Sequence, residues 1–254
     1  MKELSVKDLE ILTVDELAAV AEVAAQLQDR AVEDAMAKIL ETAVLIEGKK
    51  GRGKTLMAVA ISYQLRERFG RHVIAVGSKM GLRPEFGPFQ QMDEKEFKDA
   101  LNTIAEVADE TLIDEKAEAA EVHKALLARG VDLLYSTLVF DEAYKLFDAS
   151  HRDRLSRLFG YFVAQSRHYH CTILLLTPHR DMVDKRVTRQ VDWFGRCYHN
   201  RWTDDCTARL TAGLETLTLT VNGADDSVHV PYYRMYDSWV LLGFRKSHLA
   251  INKY

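Results

Sequence analysis

Residues 43–55 read Ala-Val-Leu-Ile-Glu-Gly-Lys-Lys-Gly-Arg-Gly-Lys-Thr, in which a short apolar run opens into the pattern Gly-x-x-x-x-Gly-Lys-Thr. This pattern is typical of the phosphate-binding loop, or P-loop, because glycines let consecutive backbone amides point at one anion. The apolar run predicts a buried parallel strand, and apolar residues at helical spacing predict a helix over residues 54–69. The alternative, a glycine-rich turn that binds nothing, does not require the strand, loop and helix to follow in this order.

The chemistry of this motif assigns a role to each of its residues. We expect Lys54 to reach the β- and γ-phosphates of ATP and Thr55 to offer its hydroxyl to Mg²⁺, while the helix N-terminus faces the same anion. The residues predicted to surround ATP are Gly48, Lys49, Lys50, Gly51, Arg52, Gly53, Lys54, Thr55 and Leu56.

The second half of such a site is an apolar strand that ends in acids, and residues 136–143 read Ser-Thr-Leu-Val-Phe-Asp-Glu-Ala. Asp141 is predicted to hold the Mg²⁺ shell, and Glu142 to polarise the water that attacks the γ-phosphate as a catalytic base. Such a base favours hydrolysis over phosphoryl transfer to a metabolite, which needs no activated water. The alternative is a strand whose exposed end carries two solvated acids.

Composition fits a globular chain in a reducing compartment. The 254 residues, 47% of them hydrophobic, suffice for a sizeable core. With 34 basic and 38 acidic residues the formal charge is -4, so contact with nucleic acid has to come from a local patch. Cys171, Cys197 and Cys206 form no C-x-x-C pair.

Neither a secretory signal nor a membrane-spanning stretch is found, so a cytoplasmic location, in a host or with a virion, is expected.

The chain is predicted to consist of an N-terminal helical extension, residues 1–41, and an ATPase domain, residues 42–254. Ser5 can cap a short first helix, and residues 13–16, Thr-Val-Asp-Glu, form a capping box that opens a long helix through Leu40. Residues 92–129 read as an acidic helical insert. Residues 192–254 read as a β-rich part, with strands over 214–221 and 228–233 and a hairpin turn at Asn222-Gly223.

These elements predict an α/β fold of the P-loop NTPase (RecA-like) type, a mainly parallel sheet flanked by helices. N-terminal helices precede it, and an antiparallel β addition lies at its C-terminal side. Between Lys145 and Arg201 basic residues outnumber acids. Such a segment can neutralise DNA phosphates or reach a neighbouring subunit's nucleotide, or it can be a solvated surface. Its bases are Arg152, Arg154, Arg157, Arg167, Arg180, Lys185, Arg186, Arg189, Arg196 and Arg201.

Several runs resemble one family. Residues 138–144 (Leu-Val-Phe-Asp-Glu-Ala-Tyr), 165–177 (Gln-Ser-Arg-His-Tyr-His-Cys-Thr-Ile-Leu-Leu-Leu-Thr) and 233–238 (Tyr-Arg-Met-Tyr-Asp-Ser) are the most selective of them. They resemble the zonular-occludens-toxin-like branch of the FtsK/HerA superfamily, to which viral genome-packaging ATPases also belong. The resemblance covers residues 42–240.

The resemblance implies a homo-oligomeric ring, usually hexameric, that couples ATP hydrolysis to movement of double-stranded DNA, with capsid or membrane proteins as further partners. Arg167 is similar in position to the arginine finger that the family supplies in trans to the adjacent subunit's ATP. A guanidinium can meet the charge that develops on the γ-phosphate, although an arginine there can also simply neutralise a helix dipole.

One departure from the family concerns the end of the strand after Arg167. Family members commonly end this strand in Thr-Gln, whereas residues 177–180 read Thr-Pro-His-Arg. Thr177 is the catalytic candidate in place of the glutamine, with His179 or Arg180 as alternatives. Without any substitute, hydrolysis would be slow and dependent on a partner.

Three functions fit the sequence. The first is a DNA translocase, as in viral genome packaging. The second is an ATPase of the zonular occludens toxin type that drives the assembly and extrusion of filamentous virions; those proteins usually carry a transmembrane segment after the ATPase domain, so its absence favours packaging. The third is a nucleotide-dependent switch protein with little turnover.

Overall fold

The computed structural model describes residues 14–77, 80, 82, 86–110, 115–150, 154–200 and 205–222. The chain divides into two compact units, Met1–Lys38 and Ile39–Tyr254. Helix α1 (Val14–Ile39) confirms the long helix expected from the capping box and ends one residue before Leu40. The short helix expected at Ser5 lies outside the described residues, and the domain boundary at residues 41/42 stays a prediction.

The second unit is built on an eight-stranded sheet in the order β3-β2-β4-β5-β1-β6-β7-β8. Its strands are β1 (Ala43–Glu47), β2 (His72–Gly77), β3 (Gln90–Met92), β4 (Ser136–Asp141), β5 (Thr172–Thr177), β6 (Trp193–Asn200), β7 (Asp205–Ala212) and β8 (Glu215–Asn222). Neighbours from β3 through β6 pair in parallel, and β6-β7 and β7-β8 pair antiparallel. The predicted mainly parallel α/β sheet is confirmed.

Helices cover both faces of the sheet, as the fully buried strands β4 and β5 and the buried residues 43–46 of β1 require. The helices of this unit are α2 (Lys54–Phe69), α3 (Glu94–Glu110), α4 (Glu115–Leu127), α5 (Arg154–Gln165) and α6 (Lys185–Thr188). Alternate strand residues form one apolar cluster with α3, α4, α5 and α6, whereas the buried side chains of α2 lie outside that cluster. Helix α2 therefore packs on the opposite face.

Phenylalanines dominate the cluster beneath α3 and α5. Phe147 and Phe159 stack with ring centroids 4.0 Å apart, and Phe97 meets Phe140 edge-on at 5.1 Å. All four side chains are fully buried. Each contributes about 1.5–3 kcal/mol through burial, so this cluster fixes the position of β4, whose last residues carry the acids of the candidate site.

The C-terminal part differs from the sequence prediction in one respect. Strand β6 pairs with β1 in parallel, so the antiparallel addition begins only at β7. The hairpin between β7 and β8 turns at Gly213, whose φ of +57° suits glycine. The predicted strand over 214–221 is confirmed as β8, whereas Gly223 and the strand expected over 228–233 lie outside the described residues. Within the described ranges, no helix combines the length and apolar character needed to cross a bilayer.

Candidate nucleotide-binding site

The carboxyl ends of β1, β5 and β4 meet at one edge of the sheet. Strand β5 lies between the other two: Glu47 at the end of β1 pairs with Thr177, and Phe140 of β4 pairs with Leu175. The P-loop that follows β1 and the two acids that close β4 therefore reach the same edge. The structure therefore brings the two predicted motifs together. Open parallel sheets bind their ligands at this edge.

The P-loop is held open by glycines and tied to β5. Gly51 and Gly53 have φ values of +76° and +80°, in the left-handed region that favours glycine. The amide of Gly48 donates to the carbonyl of Thr177 at 3.2 Å, and the carbonyl of Gly53 accepts from the amide of Met57 at 2.9 Å. Helix α2 thus begins directly after the loop, and its N-terminal end lies at the candidate site.

Cys206 supports the P-loop from β7, which sequence reasoning missed. Its Sγ lies 3.3 Å from the carbonyl oxygen of Gly53 and 3.6 Å from that of Arg52. The Sγ of Cys197 on β6 lies 3.1 Å from the Sγ of Cys206, and both thiols are free and buried. No local pattern could reveal this contact, because about 150 residues separate the loop from β7.

We expect Gly53→Ala to impair the loop more than Gly51→Ala. Left-handed backbone costs alanine about 1–2 kcal/mol at either position. A Cβ on Gly53 would also lie 2.4 Å from the Sγ of Cys206, whereas one on Gly51 would meet nothing within 4 Å. Overpacking of this kind costs a further ~1–3 kcal/mol. Thermal unfolding midpoints of the two variants check this, and equal losses would contradict the packing of Cys206 against the loop.

Lys54 folds back onto the start of the loop. Its Nζ donates to the carbonyl of Gly48 at 2.8 Å and to that of Lys49 at 3.4 Å. Burial lowers the pKa of the Lys54 ammonium, and the charges of Asp141 and Glu142 oppose that effect. A partly buried cation beside backbone amides is suited to binding a polyphosphate, whose negative charge would pair with the ammonium group.

Thr55 and Asp141 form the contact from which a magnesium site can be built. The Oγ1 of Thr55 donates to Oδ2 of Asp141 at 3.2 Å. Burial raises the pKa of Asp141, as does the charge of Glu142, while the bond from Thr55 and the charge of Lys54 lower it. A bound divalent cation would offset the cost of burying this carboxylate. Among the described residues, no three or more His, Cys, Asp or Glu side chains group as a metal site. Mg²⁺ is usually held by one or two protein ligands together with phosphates and water.

Glu142 follows β4 in a left-handed conformation, with φ of 57°, and opens a short 3₁₀ turn over Ala143–Lys145. Its partly exposed carboxylate contacts the ammonium of Lys145, and this hydrogen bond raises the pKa of Lys145. Strained backbone in a residue without the freedom of glycine is often found at functional sites. The turn leaves the Glu142 carboxylate at the sheet edge beside Asp141.

The three candidates for the missing glutamine lie at this edge in different environments. Thr177 is buried, and its hydroxyl donates to the carbonyl of His179 at 2.9 Å. The His179 ring accepts from the amide of Asp181, and the Arg180 amide donates to Oε2 of Glu47. Thr177 lies beside the start of the P-loop through its pairing with Glu47. Its catalytic role stays a prediction.

Arg167 lies at the opposite edge of the sheet. It follows α5 and precedes β5, and its side chain is exposed. The six residues of β5 span about 20 Å at 3.3 Å per residue. Arg167 is therefore beyond the reach of the P-loop in its own chain, and the structure does not bring it to the other predicted site residues.

A cluster of four side chains fixes the turn that carries Arg167. His170 stacks on Tyr135 with ring centroids 4.8 Å apart, and its Nδ1 lies 2.9 Å from Oε1 of Glu41. Arg71 donates to the same Glu41 oxygen at 2.7 Å and to the carbonyl of His170 at 3.2 Å. Glu41, Tyr135 and His170 all have positive φ. Sequence reasoning missed this cluster because its members come from four separate connections.

Comparison with known proteins gives one family and several similar folds. The sequence profile described as Zonular occludens toxin (Zot) matches residues 42–240. Among solved structures, the N-terminal domain of zonular occludens toxin from Neisseria meningitidis has 17% sequence identity and a TM-score of 0.49, over 78% of this chain and 100% of that chain. No curated protein sequence matches.

Two further solved structures are similar at comparable levels. The genome packaging NTPase B204 from Sulfolobus turreted icosahedral virus 2, in complex with AMPPCP, has 12% identity and a TM-score of 0.46, over 70% of this chain and 96% of that chain. The RadB recombinase has 14% identity and a TM-score of 0.47, over 73% of this chain and 88% of that chain.

Proposed function

The chain belongs to the zonular occludens toxin family of P-loop proteins, and we propose that it is an ATPase that moves DNA, as a viral genome-packaging motor does. The observation that carries the proposal is the meeting of the P-loop with the acids of β4, where Thr55 Oγ1 lies 3.2 Å from Asp141 Oδ2. A phosphate cradle, a metal-binding pair and an adjacent carboxylate are the parts that ATP hydrolysis requires.

ATP binding uses the loop and the start of α2. The backbone amides from Gly48 to Leu56 and the Lys54 ammonium bind the triphosphate, for which Lys54 leaves its present partners on Gly48 and Lys49. Thr55 and Asp141 would hold Mg²⁺, which when bound neutralises charge on the β- and γ-phosphates. Their contact orients both oxygens before ATP arrives.

Hydrolysis uses Glu142 as the base. Its carboxylate accepts a proton from water while the water oxygen forms a bond to the γ-phosphorus, and the bond from that phosphorus to the bridging oxygen of ADP breaks. The products are ADP and inorganic phosphate. For this step the carboxylate exchanges Lys145 for the water. Thr177, at the end of the intervening strand, is proposed to orient the water or the γ-phosphate.

The remaining charge comes from a neighbouring subunit. Because Arg167 projects from the edge opposite to its own P-loop, a ring in which that edge meets the next subunit's nucleotide would use it in trans. This supports a homo-oligomer, for which we propose the hexameric ring that the family resemblance implies. Double-stranded DNA is the proposed cargo.

Lys54→Ala tests nucleotide binding. We expect it to weaken ATP affinity by about 10²-fold or more, because it removes a partly buried charge that would pair with the phosphates. Lys98→Ala, which removes an exposed lysine from α3, is the control and should bind ATP like the wild type. Equilibrium titration with a fluorescent ATP analogue measures both. Unchanged affinity in Lys54→Ala would remove the P-loop from the proposal.

The proposed function as a whole is tested by ATP hydrolysis with and without double-stranded DNA, measured beside the mass of the assembly. DNA-stimulated hydrolysis by an oligomer supports the motor. A nucleotide-bound monomer that is indifferent to DNA would contradict it and favour the switch protein.

The family match favours one second candidate, an ATPase that drives extrusion of filamentous virions. The chemistry of the site would be the same, and the difference would lie in what stimulates it. Stimulation by virion coat protein in lipid vesicles, without a response to naked DNA, would select this candidate over packaging.

A further inference from the structure

The outer face of β6, β7 and β8 carries polar side chains that the nucleotide site does not use. Side chains alternate along these strands: Cys197, Cys206, Ala208 and Leu210 are buried on one side, and the opposite set faces outward. We call this outward set the arginine–threonine face; it consists of Arg196, Tyr198, Thr207, Arg209, Thr211, Thr216, Thr218 and Thr220. All of these except the half-buried Thr207 are exposed.

Two arginines lie directly opposite each other on this face. Arg196 of β6 pairs in register with Arg209 of β7, which places their Cβ atoms about 5 Å apart. Like charges in this arrangement destabilise a sheet unless an anion lies between them. Arg196 has one, since its Nη2 and Nε donate to Oε1 of Glu47 at 2.7 and 3.0 Å. Within the described residues, no carboxylate pairs with Arg209.

Arg180 lies with Arg196 and Arg209 at a shallow cavity. The cavity has a volume of about 240 Å³, and its lining includes Glu47, Arg180, Arg196, Tyr198 and Arg209.

The acidic residues near this cavity do not occupy all the N–H donors of its arginines. Oxygens of Glu47 already accept from Arg196 and from the amide of Arg180. Asp181 is 4.0 Å from Nε of Arg180, and Asp205 stands at the far end of β7. The guanidiniums of Arg180 and Arg209 can therefore bind a further anion.

We propose that the arginine–threonine face binds the phosphate backbone of double-stranded DNA, an inference that rests on the proposed function and assigns the DNA contact to this surface. Guanidiniums bind phosphate through paired hydrogen bonds, and threonine and tyrosine hydroxyls are common donors to DNA phosphates. Strands of eight residues are about 26 Å long and so can follow several phosphates. Such contacts are independent of base sequence, as a motor requires.

The face also connects with the nucleotide site through one side chain. Glu47 immediately precedes Gly48 of the P-loop and is the partner of Arg196. A DNA phosphate that draws Arg196 toward it would compete with Glu47 for the guanidinium. Binding of DNA would then affect the P-loop by releasing the Glu47 carboxylate from Arg196.

The test measures binding of a short fluorescent duplex by anisotropy over a range of salt concentrations. Arg209→Glu should weaken binding about tenfold. It should also make the salt dependence less steep, reducing the magnitude of the negative slope of log affinity against log salt by about 0.9, because one phosphate is no longer neutralised. Thr218→Glu is the second variant. Because Thr218 pairs in register with Arg209, the new carboxylate would form a cross-strand ion pair that preserves the fold while it occupies the arginine.

Arg129→Glu is the control, with the same charge change at an exposed arginine beyond the acidic helix α4, and it should bind duplex like the wild type. Thermal melting verifies that each variant is folded. Wild-type affinity in Arg209→Glu and Thr218→Glu, or equal weakening in all three variants, would overturn the assignment while leaving the motor proposal intact. A wild-type protein that binds no duplex would overturn both. Stronger binding of single strands through the same residues would overturn the choice of duplex.

Discussion

Arg167→Ala should reduce the rate of ATP hydrolysis by about 10³-fold or more, with ATP affinity changed far less. In its proposed role the guanidinium meets charge that develops during the reaction, so its loss would affect turnover more than binding. Steady-state phosphate release and equilibrium ATP binding measure the two effects separately. Arg167 is exposed at the amino edge of the sheet, so in the proposed ring the loss would arise at a neighbour's site.

Arg157→Ala is the matched control for this prediction. Arg157 is an exposed arginine of α5, the helix that leads into the Arg167 turn. It should hydrolyse ATP like the wild type. A wild-type rate in Arg167→Ala within an intact assembly would exclude a finger at this position.

Glu142→Gln should lower the rate of hydrolysis by about 10²–10⁴-fold while ATP still binds. The amide keeps the shape of the side chain but cannot accept the proton of the attacking water. It also lacks the charge that now contacts Lys145, so Lys145→Ala is a useful companion that removes this contact and keeps the base. Rapid-quench measurement of bound ATP and released phosphate checks both variants. Undiminished turnover in Glu142→Gln would assign the base elsewhere.

Mixing the two inactive proteins tests whether Arg167 acts in trans. In a mixed ring, a subunit with Arg167→Ala retains its own base and can receive the arginine of a Glu142→Gln neighbour. Such an interface has every proposed catalytic group, so activity should reappear when the two variants assemble together. No recovery, with assembly intact, would count against an arginine supplied by the neighbour.

The parts of the fold that sequence predicted are those with strong local patterns. The run from Ala43 to Thr55 predicted a strand, loop and helix, and β1 and α2 follow these bounds closely. The apolar stretches before Asp141 and Thr177 predicted β4 and β5 in the same way. Local spacing was sufficient here because buried parallel strands are apolar throughout, and Gly48, Glu142 and Pro178 mark where these three runs stop.

The parts that sequence could not predict depend on pairing between distant residues. The sequence of β6 contains Gly195 and shows only weak alternation of apolar and polar residues. Nothing in it indicates that this strand pairs with β1 in parallel. The contact of Cys206 with the P-loop and the bond from Arg196 to Glu47 follow from that pairing. Long-range pairs of this kind are set by tertiary packing, which a local pattern does not encode.

In the proposed function, the ends of β1 and β4 together form a site that hydrolyses ATP with magnesium. Its most direct test is phosphate release from ATP by the purified wild-type chain, with Mg²⁺ and with EDTA, alongside ATP binding by the same protein. We expect phosphate release that requires Mg²⁺ and is lost in Glu142→Gln. A folded wild-type protein with no affinity for ATP in the presence of Mg²⁺ would contradict it.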